Sequence, residues 1–169
     1  MRLIPILILA ALFNLPAKAA NPIPPLQQLA PFTGTWTQVI AASAKGNPDV
    51  QRWEWAFKGK VVRIIHGSGD YGGESLIHWD AQQKKIIFRY VTNAGFYTDG
   101  VMTPTQEGFD VHEFVRGSKS GPSEVATKYS ITADGTMKVI GKFKMAGKWA
   151  EEFTSVYKRT PDAEVKYTN

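Results

Sequence analysis

The sequence predicts an all-β fold, a single up-and-down antiparallel β-barrel of about ten strands. Apolar and polar residues alternate with a period of two along most of the chain after residue 32. Glycines fall where tight hairpins need them, as in Lys58-Gly59, Asp134-Gly135 and Ala146-Gly147, and the spacing leaves no room for crossover helices. With 169 residues, the chain has the size of one domain.

Ten strands follow from this alternation and from the turns between them. We place them at 33–42, 50–57, 60–66, 74–80, 85–93, 96–103, 109–116, 123–131, 136–145 and 148–159. Together they define a barrel domain at 32–160, preceded by a Pro-rich spacer at 21–31 and followed by a C-terminal tail at 161–169. A barrel is favoured over an open sheet because closure removes the exposed edges.

The first 20 residues predict a secretory signal peptide. Met1-Arg2 gives a positive start, Leu3 to Leu15 is mostly apolar, and Ala17-Lys18-Ala19 has the small-x-small pattern of a cleavage site. The apolar stretch is shorter than the roughly 20 residues that a membrane-spanning helix needs. We therefore expect a bacterial protein that is periplasmic or secreted and has no transmembrane segment when mature.

Composition excludes several classes of protein. The chain has no Cys, which excludes a disulfide scaffold, a thiolate nucleophile and a zinc-thiolate site. Its 43% hydrophobic and 21% charged residues are typical of a folded domain rather than a disordered one. The formal net charge is +5, but Lys and Arg alternate with apolar residues instead of clustering, so we expect no nucleic-acid partner. We expect a monomer or a homodimer.

Two short motifs carry a resemblance to a known superfamily. The opening strand Phe32-Thr33-Gly34-Thr35-Trp36 resembles the Gly-x-Trp strand of lipocalins and fatty-acid-binding proteins, the calycin superfamily. The closing strand, Phe153 to Arg159, looks like the last strand of fatty-acid-binding proteins. The resemblance extends to bacterial exported lipocalin-like families without assigned function. It implies a structural plug, in which Trp36 closes the barrel floor against Lys158 or Arg159.

The chain also departs from that superfamily. Fatty-acid-binding proteins hold a ligand carboxylate with an Arg-x-Tyr pair on the last strand, and the matching residues here are Ser155 and Tyr157. Half of this clamp is therefore missing. The interval from Ala42 to Val50 is also too short for the two-helix lid of that family.

Candidate ligand-binding residues come from aromatic side chains and from strand parity. The segment Trp53-Glu54-Trp55-Ala56-Phe57 places three rings on one face, and barrels of this width hold one small apolar ligand. Inward polar groups would orient such a ligand. The candidates are Trp53, Trp55, Arg63, Tyr90, Glu113, Tyr129 and Tyr157, with Thr98 and Glu151 as further inward polar residues.

Three histidines, His66, His78 and His112, lie on different predicted strands and have no metal-ligand spacing along the chain. We expect no catalytic residues of a recognised type, no metal and no cofactor. A haem held by one inward histidine is the alternative, with His66 as its candidate.

The leading functional hypothesis is an exported barrel that binds a small hydrophobic or amphipathic molecule in its interior. One alternative is a barrel enzyme of the isomerase or cyclase type, with an inward Glu113 or His112 as general acid-base. The other alternative is an envelope inhibitor that binds proteins through the loops at 67–73 and 117–122.

Overall fold

A computed structural model describes residues 23–43 and 45–167. The predicted signal peptide lies outside the described residues. The strands are β1 (Gly34–Gln38), β2 (Val50–Ala56), β3 (Val61–Ser68), β4 (Tyr71–Asp80), β5 (Lys85–Thr92), β6 (Tyr97–Pro104), β7 (Gly108–Arg116), β8 (Glu124–Ile131), β9 (Met137–Met145), β10 (Lys148–Trp149) and β11 (Phe153–Arg159).

Ten of these strands form one closed antiparallel barrel. Each strand from β1 to β9 pairs with the next one along the chain. The last strand, β11, then pairs with both β9 and β1, with Phe153 opposite Gly141 and Arg159 opposite Trp36. The predicted fold class, an up-and-down barrel of ten strands, is confirmed.

The predicted tenth strand is interrupted by a β-bulge. Trp149 pairs with Lys144 and Phe153 pairs with Gly141. An advance of four residues between β10 and β11 therefore lies opposite an advance of three residues on β9. The extra residue reverses which side chains face inward. The prediction that Glu151 points inward is therefore wrong, because Glu151 is exposed, and Trp149 lies outside the barrel over Lys144.

The predicted loop at 67–73 is much shorter than expected. Strand β3 continues to Ser68 and β4 begins at Tyr71, which leaves a turn of Gly69 and Asp70. The three other glycines of this segment belong to the two paired strands.

A 3-10 helix, Pro24–Phe32, covers the floor of the barrel, where β1 begins and β11 ends. Its apolar residues Leu26, Leu29 and Phe32 are all buried, so the predicted spacer contributes to the core. The Phe32 ring contacts Phe109 with ring centroids 4.6 Å apart. Across the described ranges, no helix is long and apolar enough to cross a membrane.

Trp36 and Arg159 complete this floor. The Trp36 side chain is fully buried, and its Nε1 donates a hydrogen bond to the Phe32 carbonyl at 2.7 Å. The Arg159 guanidinium lies 4.2 Å from the centre of the Trp36 ring and donates to the carbonyls of Thr33 and Pro31. The plug that the resemblance implied therefore has a basic partner here, which is Arg159 rather than Lys158.

We expect Trp36→Ala to destabilise the protein by roughly 3–5 kcal/mol, since it removes a large, fully buried ring and its hydrogen bond. Urea unfolding followed by circular dichroism measures this. Trp149→Ala is the matched control, because Trp149 is 40% exposed on the outer surface, and it should cost at most about 1 kcal/mol. Equal losses in the two variants would contradict the role of Trp36 as a plug.

Candidate functional site

The upper half of the barrel is hollow. The cavity has a volume of about 310 Å³, at the lower end of the range for small-molecule sites. Its deep end contains Trp53, Phe109 and Tyr129, whose rings pack at centroid distances of 4.9 to 5.9 Å. The walls are mainly apolar and carry a small number of polar side chains.

Five of the seven predicted ligand-binding residues line this cavity: Trp53, Tyr90, Glu113, Tyr129 and Tyr157. The additional candidate Thr98 also lines it. Trp55 does not, because it lies near the floor end of β2 and packs against the core there.

Arg63 lies on the outer surface, and its assignment to the cavity is corrected. Alternation along β3 turns its neighbours Ile64 and His66 inward and therefore turns Arg63 outward. There it donates to Glu74 at 2.6 and 2.8 Å and to Glu54 at 3.1 Å. The Arg63 guanidinium lowers the pKa of Glu74 through these hydrogen bonds.

A chain of hydrogen bonds occupies one side of the cavity mouth. Asp49 Oδ1 lies 2.8 Å from His66 Nδ1, His66 Nε2 lies 2.7 Å from the Tyr90 hydroxyl, and that hydroxyl lies 2.7 Å from Tyr71 Oη. An ionised carboxylate only accepts, so in a neutral imidazole Nδ1 donates to Asp49 and Nε2 accepts from Tyr90. These contacts select one tautomer of the neutral imidazole.

A second branch leaves the other oxygen of Asp49. Gln51 Nε2 donates to Asp49 Oδ2 at 2.8 Å, and the Tyr157 hydroxyl donates to the same oxygen at 3.2 Å. Gln51 Oε1 in turn accepts from Trp53 Nε1 at 3.1 Å. Burial, with Asp49 beside it, raises the pKa of Tyr157. Asp49 thus anchors three strands at the mouth and has hydrogen bonds on both of its oxygens.

The order of carboxylate, imidazole and hydroxyl in Asp49, His66 and Tyr90 is the order used to activate nucleophiles. Here the hydroxyl is a phenol whose pKa is raised, first by burial and then by its hydrogen bond with Tyr71. Formation of a phenolate is therefore opposed. The hydrogen bonds hold these three side chains in place.

An inward glycine makes room for this network. Gly73 lies opposite His66 on β4, and a Cβ atom there would be 2.4 Å from Cε2 of Tyr90. The Tyr90 ring therefore lies directly against the backbone of β4, where its hydroxyl reaches His66. Gly100 has the same relation to Phe88, whose ring would lie 2.3 Å from a Cβ atom.

Glu113 is the second carboxyl group in the cavity. Protein surrounds it, and the area that it exposes faces the cavity rather than bulk solvent. Thr98 Oγ1 donates to Glu113 Oε2 at 2.6 Å. Burial raises the pKa of Glu113, while the Thr98 hydrogen bond, His112 and His66 oppose the rise.

Thr127 places an unsatisfied hydroxyl at the cavity wall. The residue is 8% exposed, and its Oγ1 is buried without a hydrogen-bond partner among the described residues. Tyr129 lies two residues further along β8. Thr127 opposes the rise in the pKa of Tyr129, although the two hydroxyls do not reach hydrogen-bond geometry. A buried polar atom without a partner costs stability, since it has lost its hydrogen bonds to water.

Hydrogen bonds engage both ring nitrogens of the cavity histidine. His66 is the one described histidine that lines the cavity, and its Nε2, the nitrogen left to bind a haem iron while Nδ1 contacts Asp49, lies 2.7 Å from the Tyr90 hydroxyl. His112 lies outside the barrel against Glu124 at 2.9 Å, which corrects its use as an inward acid-base, and His78 is exposed. Within 23–43 and 45–167, no cluster of three or more His, Cys, Asp or Glu side chains has the arrangement of a metal site.

Sequence reasoning missed Asp49 and Thr127. Asp49 lies in the connection before β2, where strand parity gives no direction. Thr127 carried a usable signal, since it shares a strand face with Tyr129, which was predicted to point inward.

No protein-family profile matches the chain, and no curated protein matches its sequence at a significant level.

We expect Thr127→Val to raise the free energy of unfolding by about 1–3 kcal/mol, because the variant keeps the shape and removes a buried hydroxyl without a partner. Thr98→Val is the control and should lower the free energy of unfolding, because it removes the hydrogen-bond donor to Glu113. Urea unfolding of both variants measures the two effects. Destabilisation by Thr127→Val would show that its hydroxyl is satisfied.

Glu113 should make stability fall as the pH rises. Its folded pKa lies above the ordinary value of 4.5, so between these two values the folded state holds a proton that the unfolded state has released. Glu113→Gln should therefore match the wild type near about pH 4 and become more stable than it towards about pH 7. Urea unfolding across this interval measures the difference.

Glu124→Gln tests the same reasoning with the opposite sign. Lys144 and then His112 lower the pKa of Glu124, so its contribution is present at neutral pH and disappears on acidification. The variant should be less stable than the wild type at neutral pH and approach it in acid. For each residue, a pH profile of the sign expected for the other would overturn the assignment of that residue.

Proposed function

We propose that this protein binds one small amphipathic molecule inside the barrel. The observation that carries the proposal is a cavity of about 310 Å³ whose apolar wall contains a carboxyl group, Glu113, and an unpartnered hydroxyl, Thr127. Apolar walls provide affinity through burial, and a few placed polar groups fix the orientation of a ligand. Both features point to a molecule with an apolar body and a single hydrogen-bonding end.

The resemblance to lipocalins and fatty-acid-binding proteins supports this proposal. The ten-strand barrel is consistent with a calycin-like fold, and the Trp36–Arg159 floor matches the plug that the resemblance implies. With the predicted signal peptide, the proposal extends to a periplasmic or secreted ligand carrier.

The carboxylate clamp of fatty-acid-binding proteins is not part of the proposal. At the matching positions, Ser155 accepts a hydrogen bond from Gln38 at 3.1 Å, and Tyr157 donates to Asp49 at 3.2 Å. Neither hydroxyl lies beside an arginine in the cavity. The ligand head group must therefore be recognised elsewhere, and Glu113 and Thr127 are two lining groups with hydrogen-bonding capacity left.

A titration with N-phenylnaphthylamine, a neutral dye that fluoresces in apolar surroundings, tests the proposal. We expect saturable binding with one dye per chain. Val125→Trp should abolish it, because Val125 lines the cavity and an indole there occupies ligand space. Val91→Trp is the matched control, since Val91 is 49% exposed on the outside, and it should bind like the wild type.

Circular dichroism must show that both variants are folded, and the dye is excited directly so that the added tryptophans do not contribute. Absence of saturable binding by the wild type would overturn the proposal, as would full binding by Val125→Trp.

A further inference from the structure

The charge of the cavity has one sign. Asp49 and Glu113 line it, and among the described lining residues there is no Lys or Arg. The whole chain carries a formal net charge of +5, so the interior differs in sign from the protein as a whole. Burial raises the pKa of Tyr90 and Tyr129, and the nearby carboxylates Glu113 and Asp49 add to the rise.

The two carboxylates differ in what they have left to bind. Asp49 already accepts from Gln51 and Tyr157 and is paired with His66. Among the described residues, Glu113 receives a side-chain hydrogen bond from Thr98 alone. Glu113 is therefore the carboxylate with capacity for a ligand.

Thr127 supplies an independent observation on the neighbouring strand. In the register of β7 and β8, Glu113 faces Val125 and Val111 faces Thr127, so Glu113 and Thr127 are diagonal neighbours on the inner face. Diagonal neighbours in antiparallel strands lie about 7–8 Å apart, which leaves space for a small head group between their side chains. The Thr127 oxygen has no partner among the described residues and is able to accept a hydrogen bond.

Aromatic rings near the cavity mouth also favour a positively charged group. Tyr71 stacks on Phe96 with centroids 6.4 Å apart, and Phe143 stacks on Phe153 at 5.1 Å. All four rings line the cavity, and ring faces attract cations. An anionic head group would meet two carboxylates and no compensating cation in this space.

We propose that the ligand is a small alkyl or aryl amine, whose ammonium group pairs with Glu113 and donates to Thr127 while its apolar body lies against the rings. This rests on the proposed function and specifies its ligand class. The same arrangement disfavours fatty acids and other apolar anions.

Competition against bound N-phenylnaphthylamine at neutral pH tests the ligand class with three probes of equal chain length: n-octylamine, n-octanol and n-octanoate. We expect octylamine to bind about tenfold more tightly than octanol, as a charge-assisted hydrogen bond predicts, and octanoate to bind most weakly. Isothermal titration of octylamine into the protein gives an independent affinity.

Glu113→Gln should remove the preference for octylamine over octanol and retain binding of octanol. Glu107→Gln is the matched control, because Glu107 is exposed in the connection between β6 and β7 at the floor, and it should keep the preference. Thr127→Val should weaken octylamine and leave the dye unaffected.

Three outcomes overturn the inference: octanoate binding as tightly as octylamine, a preference for octylamine that survives Glu113→Gln, or bound dye that no octyl compound displaces. In each of them the dye still binds, so the proposed function stands while the amine specificity fails. Loss of dye binding itself would instead remove the proposed function.

Discussion

The packing of the floor determines the rest of the structure. A closed barrel of ten strands encloses more space than its own side chains fill, since about eight strands suffice for a filled interior. Here the 3-10 helix brings Phe32 into the lower end, and Trp36, Trp53 and Phe109 complete a layer of buried rings. Because this layer seals one end, the other end stays hollow without exposing the core. The packed core that stabilises the barrel thus lies at one end of its axis, and the cavity lies at the other.

The sequence predicted the fold well because strand periodicity and turn glycines are local signals. It predicted the facing of side chains less well. Arg63 was assigned inward, whereas Ile64 and His66 are the residues of β3 that face the cavity. The bulge before Phe153 changes which residues of the last strand point inward, and no local sequence pattern indicates it. Asp49 was invisible because it lies outside any strand. The site depends on register and on closure, which are properties of paired strands rather than of single segments.

The distribution of charge separates the surface from the interior. Lysines such as Lys142 and Lys144 occupy the outward positions of β9, where solvent screens them and Trp149 packs over them. The cavity carries carboxylates, among which Asp49 is paired and Glu113 is left with a raised pKa. Net charge therefore says little about what enters this barrel. The chemistry of recognition is set by the few polar groups that the protein surrounds.

One inward glycine gives the barrel a simple route to new ligands. At Gly141 an added Cβ atom would meet only side-chain atoms, those of Phe153 and Thr127, so a single added carbon would displace the Phe153 ring rather than the backbone of a neighbouring strand. Substitution there would reshape the interior while leaving the strand pairing intact, because backbone hydrogen bonds do not depend on the side chain. Related barrels with the same strand pairing would then differ in cavity volume by one methyl group at a time. Their ligand specificity would change while the fold stays the same.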